Sequence, residues 1–355
     1  MNQRARRSRF PLALVALASA VIVIAGLRAA QALVVPFMLA LFLALVAAPG
    51  VAWLQRRRVP SAVAVLLVVI VMLGVLTVVG IVLGNSVNRF VATIPQYQEG
   101  IDSLVGSIPD TLRRFHLDVE EADLRNNLNP GSIMSWVGTG LKGLAALVSN
   151  TLMIALIVVF MLLEGVWFQT KLRVAFGAES DTAEQLTLAA EQIQRYLAVK
   201  TVISLATGLL VTALTWIVGL DFALVWGFLA FLLNFIPTIG SLIAAVPAVL
   251  LALVQLGPGS AIAVAAGFLV INVLFGNIIE PNVMGRTLGL STLVVFLSLV
   301  FWGWVLGSVG MLLSVPLTMV IKIILEASER TRPIAIMLDN GRAAAARLAQ
   351  EEAAS

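Results

Sequence analysis

The sequence predicts an all-α, polytopic helical membrane protein of about eight spans, with two broken or re-entrant C-terminal segments forming an inverted repeat. Three observations carry this. The 355 residues are 60% hydrophobic and only 12% charged, with a mean hydropathy of +1.02, whereas soluble domains carry about 25% charge. The apolar runs are continuous and do not alternate in segments of about ten residues, as a membrane barrel would. Two C-terminal runs are also longer than one crossing needs, and each is interrupted by Pro or Gly.

The first three spans are predicted at Phe10–Leu27, Ala30–Trp53 and Pro60–Gly84, an N-terminal scaffold over residues 1–84. Arg4, Arg6, Arg7 and Arg9 precede the first, and Arg56, Arg57 and Arg58 follow the second. The positive-inside rule therefore places the N-terminus and this turn in the cytoplasm. The basic start followed by Pro11–Leu27 mimics a signal peptide. A second apolar run follows at once with no convincing cleavage site, so an uncleaved span is predicted. Residues 85–141 then fall outside, with four arginines against seven acids. Ile101, Leu104, Val105 and Ile108 follow i, i+3, i+4, i+7 spacing, and Pro95 and Pro109 stand at helix-start positions. Short amphipathic helices packed on the membrane face are predicted there.

A fourth span at Gly143–Leu163 and a cytoplasmic helix make up residues 142–200. Asp181 and Glu184 have capping-box spacing, and Leu186, Ala190, Ile193 and Leu197 mark one helix face. Lys171, Arg173, Arg195 and Lys200 read as cytoplasmic-side cations. Residues 201–325 form the predicted transport core. Its two ordinary spans, Val199–Gly219 and Ser260–Ile279, are each followed by a longer apolar segment, Asp221–Leu256 and Gly289–Leu325.

The first long segment breaks at Asn234–Gly240, where Pro237 removes a helical hydrogen bond and Gly240 loosens the turn. The second is punctuated by Gly303, Gly307 and Gly310. A shift of 70 residues lays Gly219 on Gly289 and Gly240 on Gly310, and brings Pro247 one residue past Pro316. Charge counting starts the first segment outside and the second inside, so the repeat is inverted, as in secondary transporters. Halves of about 15 residues reach only about 22 Å, which favours re-entrant hairpins over four tilted spans. The tail, residues 326–355, is predicted as a cytoplasmic helix, with Lys322 as a snorkelling interfacial anchor.

Polar groups at membrane depth are functional candidates, because burying them unpaired is costly. Asn234 lies at the first break, and Asn272 and Asn277 lie on the penultimate ordinary span. That span ends at Glu280, with Arg286 beyond. Two readings of Glu280 stand side by side: an interfacial pair with Arg286, or coupling of protons or substrate. Trp302 and Trp304 sit at the second break, where a re-entrant segment would hold them deep. Asp221 and Gln255 flank the first broken segment and are placed at the outer surface. Glu164, near Trp167, reads as interfacial.

The net charge is only +4, and the basic residues flank apolar runs, so no nucleic-acid partner is predicted. With no cysteine and a single histidine, His116, neither disulfides, thiolate sites nor a multi-histidine metal site can form. There is no P-loop and no H-E-x-x-H pattern, so neither P-loop nucleotide hydrolysis nor zinc proteolysis is predicted, and no cofactor is required. The chain is not expected to be an enzyme. Amides and hydroxyls outnumber carboxylates at lipid depth, which suits a small, neutral, hydroxyl-rich solute.

LNFIPTIG at Leu233–Gly240, EPNVMGRTLGLS at Glu280–Ser291 and WGWVLGSVGMLLSVPL at Trp302–Leu317, in that order, resemble the autoinducer-2 exporter family of bacterial permeases. The resemblance covers nearly the whole chain. It implies a multi-pass inner-membrane permease, a homo-oligomer, in a family that includes exporters of the quorum-sensing molecule autoinducer-2 and sodium or lithium/proton antiporters. Asn234, Pro237, Gly240, Glu280, Pro281, Gly285, Gly289, Gly307, Gly310 and Pro316 match its motifs.

The leading expectation is a secondary transporter that exports a small polar solute across the lipid bilayer by alternating access, with both termini cytoplasmic. Asn234, Pro237, Gly240, Asn272, Asn277, Trp302, Gly307 and Gly310 would line the solute route, with proton or sodium coupling at Glu280 and Arg286. The alternatives are a cation/proton antiporter and a non-transporting membrane scaffold.

Overall fold

The computed structural model describes residues 15, 18–113, 139, 151–176, 181–237, 239–284, 290–326 and 331–341. Regular structure among them is helical, apart from one isolated antiparallel bridge between Leu290 and Asp339. The first helices are α1 (Ala18–Ala29), α2 (Gln31–Arg56), α3 (Ser61–Arg113), α4 (Thr151–Phe176) and α5 (Asp181–Val218). Helices α6 (Ala223–Leu233) and α7 (Gly240–Leu256) form a hairpin. Then α8 (Pro258–Asn272) runs through a π-helical stretch (Val273–Ile279) into the short α9 (Glu280–Met284). A second hairpin turns at Gly307 inside α10 (Thr292–Leu312), its returning arm running from Ser308 through α11 (Ser314–Glu326), and the short α12 (Arg332–Met337) follows.

Five stretches are long and apolar enough to cross a membrane: Gln31–Arg56, Ser61–Phe90, Ala190–Val218, Pro258–Val283 and Thr292–Leu312. Shorter apolar helices cover Ala18–Ala29, Met153–Phe168 and both arms of the first hairpin. Leu66, Ile70, Val78 and Ile81 of α3 point outward, the behaviour of a helix whose solvent is lipid and whose own backbone satisfies its polar groups. The protein is a polytopic helical membrane protein.

Helix α3 departs from expectation. Short helices starting at Pro95 and Pro109 do not form; the helix continues unbroken to Arg113, 53 residues or roughly 80 Å. A proline inside a helix removes one backbone bond, whereas helix propagation from an already formed apolar stretch is cooperative, so one lost bond does not end it. Apart from Thr139, the rest of 114–141 lies outside the described residues, as do Thr238, Gly285, Arg286 and Gly289.

Helix α2 is the hub. It packs with α3 and α4 through Ala40, Ala44, Val65 and Val158, and with α1 and the second hairpin through Val35, Val305 and Val309. Its Phe42, Leu45 and Val46 join a cluster with Tyr196 and Leu197 of α5 and Val315 and Met319 of α11. A further core gathers the end of α3 with α5, α6, α7 and α8 around Phe90 and Trp226, whose rings meet edge to face at 5.5 Å. Between α5 and α6 the backbones approach closely. A methyl group on Gly227 would overlap the Thr212 hydroxyl, and one on Gly208 would crowd the Gly227 carbonyl. Small residues permit such close approach between membrane helices.

Both long C-terminal segments fold back on themselves. In the first, Leu229 and Ala230 share a core with Ala244, Ala248 and Leu251 across the turn. Arm α6 has 11 residues, or about 16 Å, too short for roughly 30 Å of hydrocarbon. In the second, Gly307 adopts φ +68°, ψ −150°, a non-helical break inside α10. The Trp302 indole N–H then reaches the Thr318 hydroxyl at 3.1 Å. Sixteen residues along a straight helix would separate these groups by about 24 Å, so the chain must reverse.

The two tips share a construction. A methyl group on Gly240 would overlap the Leu233 carbonyl, and one on Gly310 would overlap the Trp302 carbonyl. The glycines paired by the 70-residue offset therefore perform the same task. Pro247 and Pro316 are both buried in the second arm of their hairpins.

The described part of the tail, residues 331–341, docks on the second hairpin. After α12, the Ser291 N–H donates to the Leu338 carbonyl at 3.0 Å. Lys322 pairs with the Asp339 carboxylate, and their side chains are 12% and 0% exposed. Lys322 is thus no snorkelling anchor. A partner 17 residues downstream meets its ammonium inside the fold, so it need not reach water.

Candidate functional site

One face of α5 carries Tyr196, Lys200, Ser204 and Thr207, spaced by four, four and three residues, and all four are buried. Their side chains therefore form a polar column on a single helical stripe. The other elements deliver partners to it. Asn234, which caps the C-terminus of α6, donates its Nδ2 to the Ser204 hydroxyl at 2.9 Å, with both residues buried. Glu280, at the end of the π-helical stretch, accepts from the Lys200 ammonium at 2.6 and 2.8 Å, one contact to each carboxylate oxygen. The side chains of this pair are 4% and 20% exposed. Lys200 and Ser204 are one turn apart, about 6 Å of rise, so the ion pair and the amide–hydroxyl pair are neighbours.

The break at Asn234 brings α2 to the same place. Phe235, the next residue, meets Phe42 of α2 edge to face at 5.4 Å. Phe42 in turn packs against both the α5–α11 cluster and the second hairpin. A single aromatic side chain thus touches the tip of one hairpin and the body of the other.

The sequence-predicted residues divide into two groups. Asn234 and Glu280 meet on α5, and Gly240 closes the same hairpin tip, with its N–H directed to the Ile236 carbonyl at 3.3 Å. Pro237 lies half-buried in that tip. Asn272 is half-buried at the start of the π-helical stretch, whereas Asn277 faces outward from it. Trp302, Gly307 and Gly310 belong to the second hairpin, against α1 and α2, where a methyl group on Gly307 would come within 3.1 Å of the Gln31 side-chain nitrogen.

Trp302 is packed shut by its bond to Thr318. Trp304 instead points out at 55% exposure beneath the Arg28 guanidinium, 4.6 Å from its ring centre. Trp304 lines a surface pocket with Ile24, Arg28 and Ala29 of α1. Outside this column, other polar residues form pairs of their own. Glu164 pairs with Lys171, both exposed, and the Gln255 side chain accepts from the Asp221 N–H at 3.1 Å.

Lys200 and Ser204 were not readable as site residues. Lys200 looked like one more cytoplasmic-side cation, and its partner is 80 residues away. The available signal was the four, four, three spacing of Tyr196, Lys200, Ser204 and Thr207. Arg286, the other candidate partner of Glu280, lies outside the described residues.

The AI-2E family transporter model matches residues 17–330, which include both hairpins, α5 and Glu280. The chain belongs to the AI-2E transporter family. The AI-2 transport protein TqsA of Escherichia coli K12 is 42% identical over 322 residues, covering 90% of this chain and 93% of TqsA. A putative transport protein of Haemophilus influenzae is 40% identical over 332 residues, covering 92% of this chain and 95% of the relative. The putative transport protein YhhT of E. coli K12 is 40% identical over 329 residues, covering 93% of this chain and 94% of the relative. In this AI-2E family transporter, then, the buried polar column and the two glycine-tipped hairpins lie within the family's matched region, and a role in transport follows from membership.

Proposed function

We propose that this transporter exports a small polar solute of the autoinducer-2 kind across the bacterial inner membrane by alternating access, with both termini cytoplasmic. The observation that carries the reading is the pair of helical hairpins with equivalent glycine tips, the first presenting Asn234 to the Ser204 hydroxyl. Broken helices leave backbone carbonyls and amides free to meet a solute at membrane depth. Amide and hydroxyl groups recognise a hydroxyl-bearing solute by exchanging one hydrogen bond for another. The name of TqsA as an AI-2 transport protein supports this solute class.

A second reading, cation/proton antiport, draws on the Lys200–Glu280 pair, since ionisable groups inside spanning segments mark ion routes and proton relays. Proteoliposomes separate the two. Candidate solutes are scanned under imposed proton and sodium gradients, with Gly84→Ala as an inert control. Solute efflux that falls at least tenfold in Asn234→Ala supports export. Cation-driven proton movement with no solute flux supports antiport. Neither flux, together with tolerance of Gly240→Ala and Gly310→Ala, would leave only the scaffold reading.

A further inference from the structure

The turn between α5 and α6 is built more tightly than a plain connection requires. The chain leaves α5 through Gly219 at φ +86°, a left-handed conformation that glycine takes without strain. Phe222 then adopts φ +60°, ψ +35°, also left-handed, where an aromatic residue is an outlier. Its neighbour Asp221 is pinned from both sides. The Asp221 N–H donates to the Gln255 side-chain oxygen at 3.1 Å, and the Asp221 carbonyl accepts from the Trp226 indole N–H at 2.9 Å. The Phe222 ring is held edge to face against Phe90, with centres 5.4 Å apart. Backbone strain of this kind persists only where the surroundings over-determine it, and it gathers at functional sites and ligand clamps.

The turn forms one wall of a pocket of about 540 Å³, lined by Ser86, Arg89, Ala92, Thr93, Asp221 and Phe222. That volume suits a small ligand. The facing wall belongs to α3, where its membrane-spanning stretch ends at Phe90. With both termini cytoplasmic, the pocket opens on the outer face. Asn234 lies one hairpin arm deeper, about 18 Å along α6.

The polar groups select a class of ligand. The Ser86 hydroxyl donates to the Val82 carbonyl at 2.8 Å, and the Thr93 hydroxyl donates to the Arg89 carbonyl at 2.7 Å. Their hydrogens are thereby committed, and their oxygens offer a ligand only lone pairs. The Asp221 carboxylate is an acceptor too, while the Arg89 guanidinium supplies donors. A free anion would meet the carboxylate, and a free cation would meet the guanidinium. A neutral solute with several hydroxyls brings donors to the three acceptor side chains, an oxygen to Arg89 and a C–H face to the Phe222 ring.

We propose that this pocket is the transporter's outer binding site, that its ligand is a small, neutral, polyhydroxylated molecule, and that Asp221 and Arg89 are its charged contacts. The site rests on the export reading and gives the departing solute a place to stand. The pinned turn sets the carboxylate and the ring before the ligand arrives, so little ordering remains to be done on binding.

The chain has no cysteine, so Ala92→Cys in the full-length protein puts a single thiol in the pocket and leaves its polar groups intact. Its reaction with a maleimide is timed in detergent, with ribose and autoinducer-2 as neutral probes and glycine and inorganic phosphate as charged ones. A neutral probe at about ten times its half-protecting concentration should slow labelling about tenfold. Asp221→Asn and Arg89→Gln, each added to Ala92→Cys, should remove that protection. Should Ala92→Cys not fold, Ser86→Cys reports from the same wall. The site is overturned by failure of both neutral probes to protect, by protection unaltered in either charge variant, or by protection from glycine or phosphate alone. Solute efflux from proteoliposomes that persists without protection of the thiol sinks the pocket and leaves export standing. Protection without efflux of either neutral probe keeps the pocket and sinks export.

Discussion

At Gly240 and Gly310 the space that any other side chain needs is already filled by a backbone carbonyl of the opposite arm. Backbone cannot move aside as a flexible side chain can, so Gly240→Ala and Gly310→Ala must open the tip. Each is expected to lower stability by about 1–3 kcal/mol and to impair flux. Thermal unfolding in detergent checks this, with Gly84→Ala and Gly165→Ala, which meet nothing within 4 Å, as neutral comparisons. Gly307 is constrained differently. Its φ of +68° with ψ of −150° is strained for any residue with a Cβ, so Gly307→Ala is expected to cost about 1–3 kcal/mol although a methyl group there meets only the end of Gln31. The Asn234–Ser204 pair invites a double-mutant cycle. Either single alanine substitution strands a buried polar partner, at about 1–3 kcal/mol, whereas the double substitution removes both needs at once. The double variant should therefore be less destabilised than the two singles added together.

At the scale of elements, the Trp302–Thr318 bond joins the two arms of the second hairpin. Trp302→Phe keeps the aromatic packing and deletes the indole N–H that bonds Thr318. A loss of about 1 kcal/mol is expected, read as a lower melting temperature. On this cysteine-free chain, single cysteines at Thr238 and Ser308 report tip accessibility. Re-entrant tips are expected to label from one face only. The breaks themselves were legible in the sequence because their causes are local: Pro237, Gly240 and Gly307 carry their conformational preferences wherever they stand. The apolar spans were legible for the same reason. What the sequence could not show is pairing at a distance. Lys200 finds Glu280 across 80 residues and Lys322 finds Asp339 across the α11–α12 turn, and nothing in the neighbourhood of either lysine signals the partner. Pro95 failed as a helix-start signal because a proline's local cost does not decide against a long helix already propagating from the membrane.

Across the whole molecule, α2 ties the parts together, and the tail ties the second hairpin shut. Helix α2 touches α1, α3, α4, α5 and both hairpins, so movement of either hairpin must slide over one fixed surface. Leu290 and Ser291 at the start of α10 and Lys322 near the end of α11 are all engaged by residues 338–339. Asp339→Asn leaves the Lys322 ammonium without its counter-charge and is expected to destabilise the fold by about 3–5 kcal/mol. A drop in melting temperature that Lys322→Met partly restores in the double variant would confirm the pairing. The same clasp sets an order of events during synthesis. The second hairpin is made and inserted before the residues that fasten its two open ends exist, so it must wait, unfastened, until Leu338 and Asp339 emerge. A chain stopped between Glu326 and Asp339 would have every span and yet be open at this hairpin. Its expected signature is normal membrane insertion with early proteolysis near Leu290, a fault of timing and closure that no count of spans reveals.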